Sequence, residues 1–264
     1  MDTALVGDLE IAYERTGKGP ALLLLHGGAS DHREWRRQID ALSDEFTVVA
    51  WDAPGCGQSS DPPEIFRLPD YADCLAGFIA ALGLERPHVL GLSFGGGLAL
   101  ELYRRHPTLP RSLILASAYA GWAGFLPAEV VEQRLRQVLS EAALPADQWV
   151  SGWLPGLLSA NAPAGATEEL IAIISSAHPA GMRVMARSFA EADLRDVLEY
   201  IAVPTLVLYG SADQRVPLSV AEGLHASIPG SRLVVMPGVG HQSNMDAPDL
   251  FNLEVRSFLR PLNP

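Results

Sequence analysis

The sequence predicts an α/β fold: a mostly parallel sheet with helices on its faces and a helical insertion. Three observations predict it. Short apolar runs end in polar residues or glycine, amphipathic stretches of helical period separate most of them, and one long segment has helical periodicity with no such run.

The elements follow in order. Residues 3–15 alternate apolar and polar, as an edge hairpin would, with "TGKGP" expected to close it. "ALLLLH" (21–26), "TVVAWD" (47–52), "HVLGLS" (88–93), "SLILAS" (112–117), "PTLVLYG" (204–210) and "RLVVMPG" (232–238) are continuous apolar runs. Strands buried on both faces have this character, which argues for parallel pairing. "HREWRRQIDAL", "YADCLAGFIAALG", "GGLALELYRRH", "LSVAEGLHASI" and "PDLFNLEVRSFL" carry the helical period between and after them.

One gap breaks this alternation. Residues 118–203 hold no strand-like run but contain "AEVVEQRLRQVLSEAAL", "TEELIAIISSA" and "AGMRVMARSFAEADL". A structureless loop of that length is improbable in a compact domain. The reading is therefore a core of residues 1–121 and 197–264, with residues 122–196 as a helical cap over the sheet.

Composition narrows the partners. With 31 acidic against 19 basic residues the formal charge is -12, which disfavours nucleic acid and anionic membranes. A small apolar or neutral ligand is expected instead. The two cysteines, Cys56 and Cys74, give no disulfide framework or C-x-x-C pair, and the acidic, alternating N-terminus is unlike a signal peptide. A cytoplasmic location is expected, and no apolar run approaches membrane-spanning length.

The chemistry is carried by "GLSFG", residues 91–95, between a strand and a helix. Gly91 and Gly95 allow a sharp turn that lifts the Ser93 hydroxyl off the sheet end, at the positive N-terminus of the next helix. A helix cap alone would not require glycine on both sides.

A serine nucleophile needs a base, itself oriented by a third group. His241, in "PGVGHQSNMDAP", lies past the last strand on a glycine-rich approach, and Asp213, in "LVLYGSADQRVP", follows a buried strand. His26, His88, His106 and His225 read as structural, His178 as a possible substrate contact, and Asp52 as a turn support. The order Ser93, Asp213, His241 is the nucleophile, acid, base order of a strand-turn-helix nucleophile fold. For the developing oxyanion, "LLLLHGGAS" offers the Gly28 N–H beside that of Phe94. Trp122, Trp153, Met182 and Phe189 are the candidate substrate-binding residues of the cap. Cys56 has no base positioned for it.

Together "LLLHGGAS", "DAPGCGQS", "GLSFGGGLALELYRRHP", "LVLYGSADQRVP" and "GVGHQSNMDAPDLFN" resemble the α/β-hydrolase superfamily. The similar branch is the small bacterial one that includes 3-oxoadipate enol-lactonase-like enzymes, carboxylesterases and meta-cleavage-product hydrolases. The resemblance implies an eight-stranded, mostly parallel sheet and a Ser93–His241–Asp213 triad. The expected activity is cleavage of a carboxylic ester or lactone through an acyl-enzyme, with no cofactor or metal. Carbon–carbon bond hydrolysis, which would require Arg134, Arg136, Arg183 or Arg187 to face the pocket, is one alternative. A slow-turnover ligand receptor on the same scaffold is the other.

Overall fold

The computed structural model describes residues 1–263. Eight strands form one sheet: β1 (Asp2–Val6), β2 (Leu9–Thr16), β3 (Ala21–Leu25), β4 (Thr47–Trp51), β5 (His88–Leu92), β6 (Ser112–Ala116), β7 (Thr205–Gly210) and β8 (Arg232–Met236). Their order is β1-β2-β4-β3-β5-β6-β7-β8. The first two pairings, β1 with β2 and β2 with β4, are antiparallel, and every other pairing is parallel.

The alternation of side chains across each central strand builds two cores. Leu23, Val49, Val89 and Val207 face one, Leu22, Val48, Leu90 and Leu206 the other. Helices α1 (Arg36–Leu42) and, near the C-terminus, Pro248–Leu259 cover the second core, through Ile39, Phe251 and Val255. Helices α2 (Leu68–Ala81) and α3 (Phe94–Arg105) cover the first, through Leu75, Phe78, Leu98 and Leu102. Burying these faces supplies the main drive for folding.

Between β6 and β7 come α4 (Trp122–Phe125), α5 (Ala128–Glu141), α6 (Val150–Trp153), α7 (Ala166–Ser175), α8 (Pro179–Glu191) and α9 (Arg195–Leu198). They form a helical cap region with a small core of its own, in which Trp149, Leu170, Ile173 and Met182 meet Ala29 and Met245. Helix α10 (Leu218–Ser227) joins β7 to β8, and α11 (Ser243–Asp246) leads into α12 (Pro248–Leu259). Among the described residues no helix is long and apolar enough to cross a membrane.

Three expectations change. The edge hairpin closes at Gly7 and Asp8, where Gly7 takes a φ of +59°, and "TGKGP" instead carries the chain from β2 to β3. A two-residue turn with glycine at positive φ suits the twist of paired strands. Strand β8 is half-buried because it is the sheet edge. Helix α3 begins at Phe94, two residues before the expected "GGLALELYRRH", so Gly95, Gly96 and Gly97 all lie inside it.

The chain leaves β3 to form β4 on one side and returns to form β5 on the other. The carboxyl ends of β3 and β5 thus flank the point where strand order reverses. Open α/β sheets place their ligands in the crevice at that point.

Candidate active site

Ser93 follows β5 directly, with φ 53° and ψ -111°. Positive φ on a residue with a Cβ costs about 1–3 kcal/mol and persists only where neighbours enforce it. Here they do: the Ser93 N–H donates to the Ala116 carbonyl at 2.8 Å, and its carbonyl accepts from the Gly96 and Gly97 N–H groups. A Cβ on Gly91 would strike the Gly95 carbonyl, and one on Gly95 would strike the carbonyls of Leu25 and His26. These glycines allow helix, turn and β3 to approach closely.

Asp213 lies in the turn after β7 and His241 in the loop after β8, and they meet: His241 Nδ1 is 2.9 Å from Asp213 Oδ2. Burial opposes the charged form of Asp213. The His241 hydrogen bond and charge, with the N–H groups of Val216 and Arg215, outweigh it and hold its pKa below the ordinary 3.8.

The approach to His241 is glycine-rich but firmly held. Its N–H reaches the Gly156 carbonyl, its carbonyl accepts from the Ser117 hydroxyl at 3.0 Å, and the Gln242 N–H donates to the Leu157 carbonyl at 2.8 Å. Asp246 accepts from the Gly240 N–H and from the Ser159 N–H and hydroxyl, tying loop to cap.

Gly28 and Phe94 line one cavity of about 250 Å³ with Ser93 and His241. Among the described residues neither of their N–H groups has a protein acceptor. Glu34, wholly buried, props this wall by accepting from the Gly27 N–H at 3.1 Å, from the Ser30 hydroxyl, and from Gln242 Nε2 at 3.2 Å. Burial raises the Glu34 pKa, with His26 and these donors pulling it back in part.

Trp122, Trp153, Met182 and Phe189 line the same cavity. Trp149, also in the cap, instead packs edge-on against Trp153. His178 bonds to Asp61 at 2.8 Å and to the Gly57 carbonyl and is not among the cavity-lining residues. Of the four arginines considered, Arg134 lines the cavity; Arg183 and Arg187 pair with Glu64, and Arg136 with Glu132. Arg215, Glu141, Glu34 and Asp246 were not anticipated. Their roles come from contacts between distant segments, and only the position of Arg215, two residues after Asp213, was a signal.

The remaining reactive groups are otherwise engaged. His26 contacts the Gly27 carbonyl through Nδ1 and accepts the Ala53 N–H at Nε2. Cys56 is buried 3.8 Å from the Met185 sulfur, and burial, aided by Asp52, pushes its pKa well up. Asp31, His32 and Asp52 sit close enough to hold a cation. Their oxygens, however, are occupied: Asp52 accepts from the His32 N–H, His32 Nδ1 and the Gln58 N–H, and Asp31 from Arg33.

Comparisons with known proteins identify the fold and its family. A family profile described as alpha/beta hydrolase fold matches residues 20–248. A thermophilic esterase from Thermogutta terrifontis, solved with malate bound, superimposes with a TM-score of 0.91 at 31% identity, covering 99% of this chain and 97% of that one. A hydrolase from Pseudomonas aeruginosa PA01 gives 0.87 at 30% identity, covering 98% and 97%. The pyrrolizixenacetamide deacetylase of Xenorhabdus hominickii is 27% identical over 267 residues, 98% of both chains.

Proposed function

The chain belongs to the α/β-hydrolase fold family and is a serine-type hydrolase of the esterase and lactonase kind, and we propose that Ser93, His241 and Asp213 carry its chemistry. The observation that supports this most is His241, backed by buried Asp213, lining one cavity with a strained Ser93. His241 takes the Ser93 proton through Nε2 as the hydroxyl attacks the acyl carbon. The Gly28 and Phe94 N–H groups receive the oxyanion, each donor contributing about 3 kcal/mol to the transition state. Asp213 fixes the His241 tautomer and stabilises the imidazolium. His241 then protonates the leaving alkoxide, and water, deprotonated by the same imidazole, releases the acid.

Trp122, Met182 and Phe189 form the apolar wall for a small substrate. The core of residues 1–121 and 197–264 holds the reacting groups, and residues 122–196 shape that wall. The test is kcat/KM for the wild type and Ser93→Ala on 4-nitrophenyl esters of rising chain length, aliphatic lactones and a meta-cleavage dienone. Multiple turnover on an ester or lactone, lost in the variant, is the expected result. Turnover of the dienone alone, or binding without turnover, would overturn the ester reading.

A further inference from the structure

Two arginines line the Ser93 cavity. Arg134 projects from α5, Arg215 from the turn after β7, and both line the same wall as Trp153 and Tyr119. Arg134 sits 5.8 Å from the ring centres of both Tyr119 and Trp122. Its hydrogen bonds are long: 3.5 Å to the Tyr119 hydroxyl and 3.3 Å to the Arg215 carbonyl. Arg215 donates through Nη2 to the Trp153 carbonyl, and its Nε is buried without an acceptor.

Among the described residues neither guanidinium is ion-paired. Arg33, Arg37, Arg67, Arg183 and Arg187 each have a carboxylate partner. Two acids are near Arg134 and Arg215, but both are engaged. Asp213 serves His241 and two backbone N–H groups, and Glu141 accepts from Trp153 Nε1 at 2.6 Å and Gln137 Nε2 at 2.9 Å. Burial lowers the Arg215 pKa and the Arg134 charge lowers it further, with Asp213 and Glu141 compensating only in part.

A guanidinium carries five N–H donors in a planar fork suited to a carboxylate. Two like charges with unfilled donors, in a mainly apolar cavity whose one lining carboxylate, Glu141, is already hydrogen-bonded to Trp153 and Gln137, are stabilised by an anion that meets both. We propose that Arg134 and Arg215 form a carboxylate subsite, so that the preferred substrate is an ester or lactone bearing a second, ionised carboxyl group. The proposal rests on the hydrolase reading above, and it amends the expectation of a neutral ligand drawn from the net charge of -12. That charge is a sum over the whole chain, and its exposed part is screened beyond about 8–10 Å at physiological salt, whereas the two guanidiniums act at contact distance.

The test has two arms. The first compares kcat/KM for 4-nitrophenyl hydrogen succinate, glutarate and adipate with the neutral esters of equal chain length, in wild type, Arg134→Gln, Arg215→Gln and Arg134→Lys. The wild type is expected to favour at least one carboxylate ester, and each Gln variant to cut that selectivity roughly tenfold or more, the scale of one charge-assisted hydrogen bond. Arg134→Lys should retain part of it.

The second arm measures binding of free succinate, glutarate and adipate by calorimetry, independently of turnover. Both Gln variants are expected to weaken it by a similar factor. They should fold, because Arg134 makes only long contacts and the Arg215 turn, although it loses the bond to the Trp153 carbonyl, keeps its backbone hydrogen bonds; thermal midpoints check this. Wild-type selectivity at or below one, with diacid binding unaffected in both variants, would overturn the subsite. Absence of any ester turnover would count against the hydrolase reading, and the calorimetric arm would still decide the subsite.

Discussion

His241 Nδ1 lies 2.9 Å from Asp213 Oδ2, and the two side chains are only 7% and 1% exposed. A carboxylate buried against an imidazole that carries no other side-chain partner fixes which ring nitrogen bears the proton. Asp213→Asn should therefore keep the fold and lower kcat by roughly 10⁴-fold, the cost of the wrong tautomer in a serine triad. Steady-state kinetics on the best ester of the panel checks this. An unchanged rate would remove Asp213 from the mechanism.

The same pair sets an acid dependence of stability. Because the folded-state pKa of Asp213 is lowered, the folded chain binds fewer protons there than the unfolded chain. The stability it contributes is fully present above the ordinary 3.8 and is lost as pH falls through the lower folded value. Calorimetric Tm should thus fall more steeply below pH 4 for the wild type than for Asp213→Asn, so that any wild-type advantage at neutral pH narrows in acid.

Glu34 ties the Gly27 turn to Gln242, the neighbour of His241. Glu34→Ala leaves the Gly27 N–H, the Ser30 hydroxyl and the Gln242 amide unpaired, and should cost about 2–4 kcal/mol by denaturant unfolding. Glu34→Gln keeps one acceptor oxygen, enough for the Gly27 N–H or for the Ser30 and Gln242 donors but not for both sides, and should recover part of both stability and kcat. Equal losses in the two variants would mean that the charge, rather than the hydrogen bonds, is what matters.

Ser93, Asp213 and His241 were legible because each sits at a strand end that the apolar pattern marks. The neighbouring glycines and the polar residue are then local signals. Arg215, Glu34 and Asp246 were not legible in this way, since Glu34 meets Gln242 across 208 positions and Asp246 meets Ser159 across 87. The early start of α3 was hidden by propensity. Glycine disfavours helix, yet Gly96 packs where a Cβ would meet Ala118 and Gly97 where it would meet the Phe189 ring. Tertiary packing decided those two positions.

Gly95→Ala tests that close approach directly. The added Cβ would collide with backbone carbonyls of Leu25 and His26, which cannot rotate aside. A loss of more than about 3 kcal/mol, or failure to fold, is expected, as for other overpacked cores. A variant with wild-type Tm would show that α3 and β3 can separate without cost.

Cys56→Ser should leave kcat within about threefold of wild type, since the thiol touches Met185 and no base. Stability should drop by about 1–3 kcal/mol from burying an unpaired hydroxyl. Loss of kcat on the scale of a triad member would reopen a thiol mechanism.

The most direct test of the central claim is to treat the active enzyme with a fluorophosphonate, follow residual esterase activity, and map the adduct by peptide mass spectrometry. The account predicts one adduct per chain, on Ser93, rising in step with the loss of activity and absent from His241→Ala. An adduct on any other residue, or full activity in a chain modified at Ser93, would contradict it.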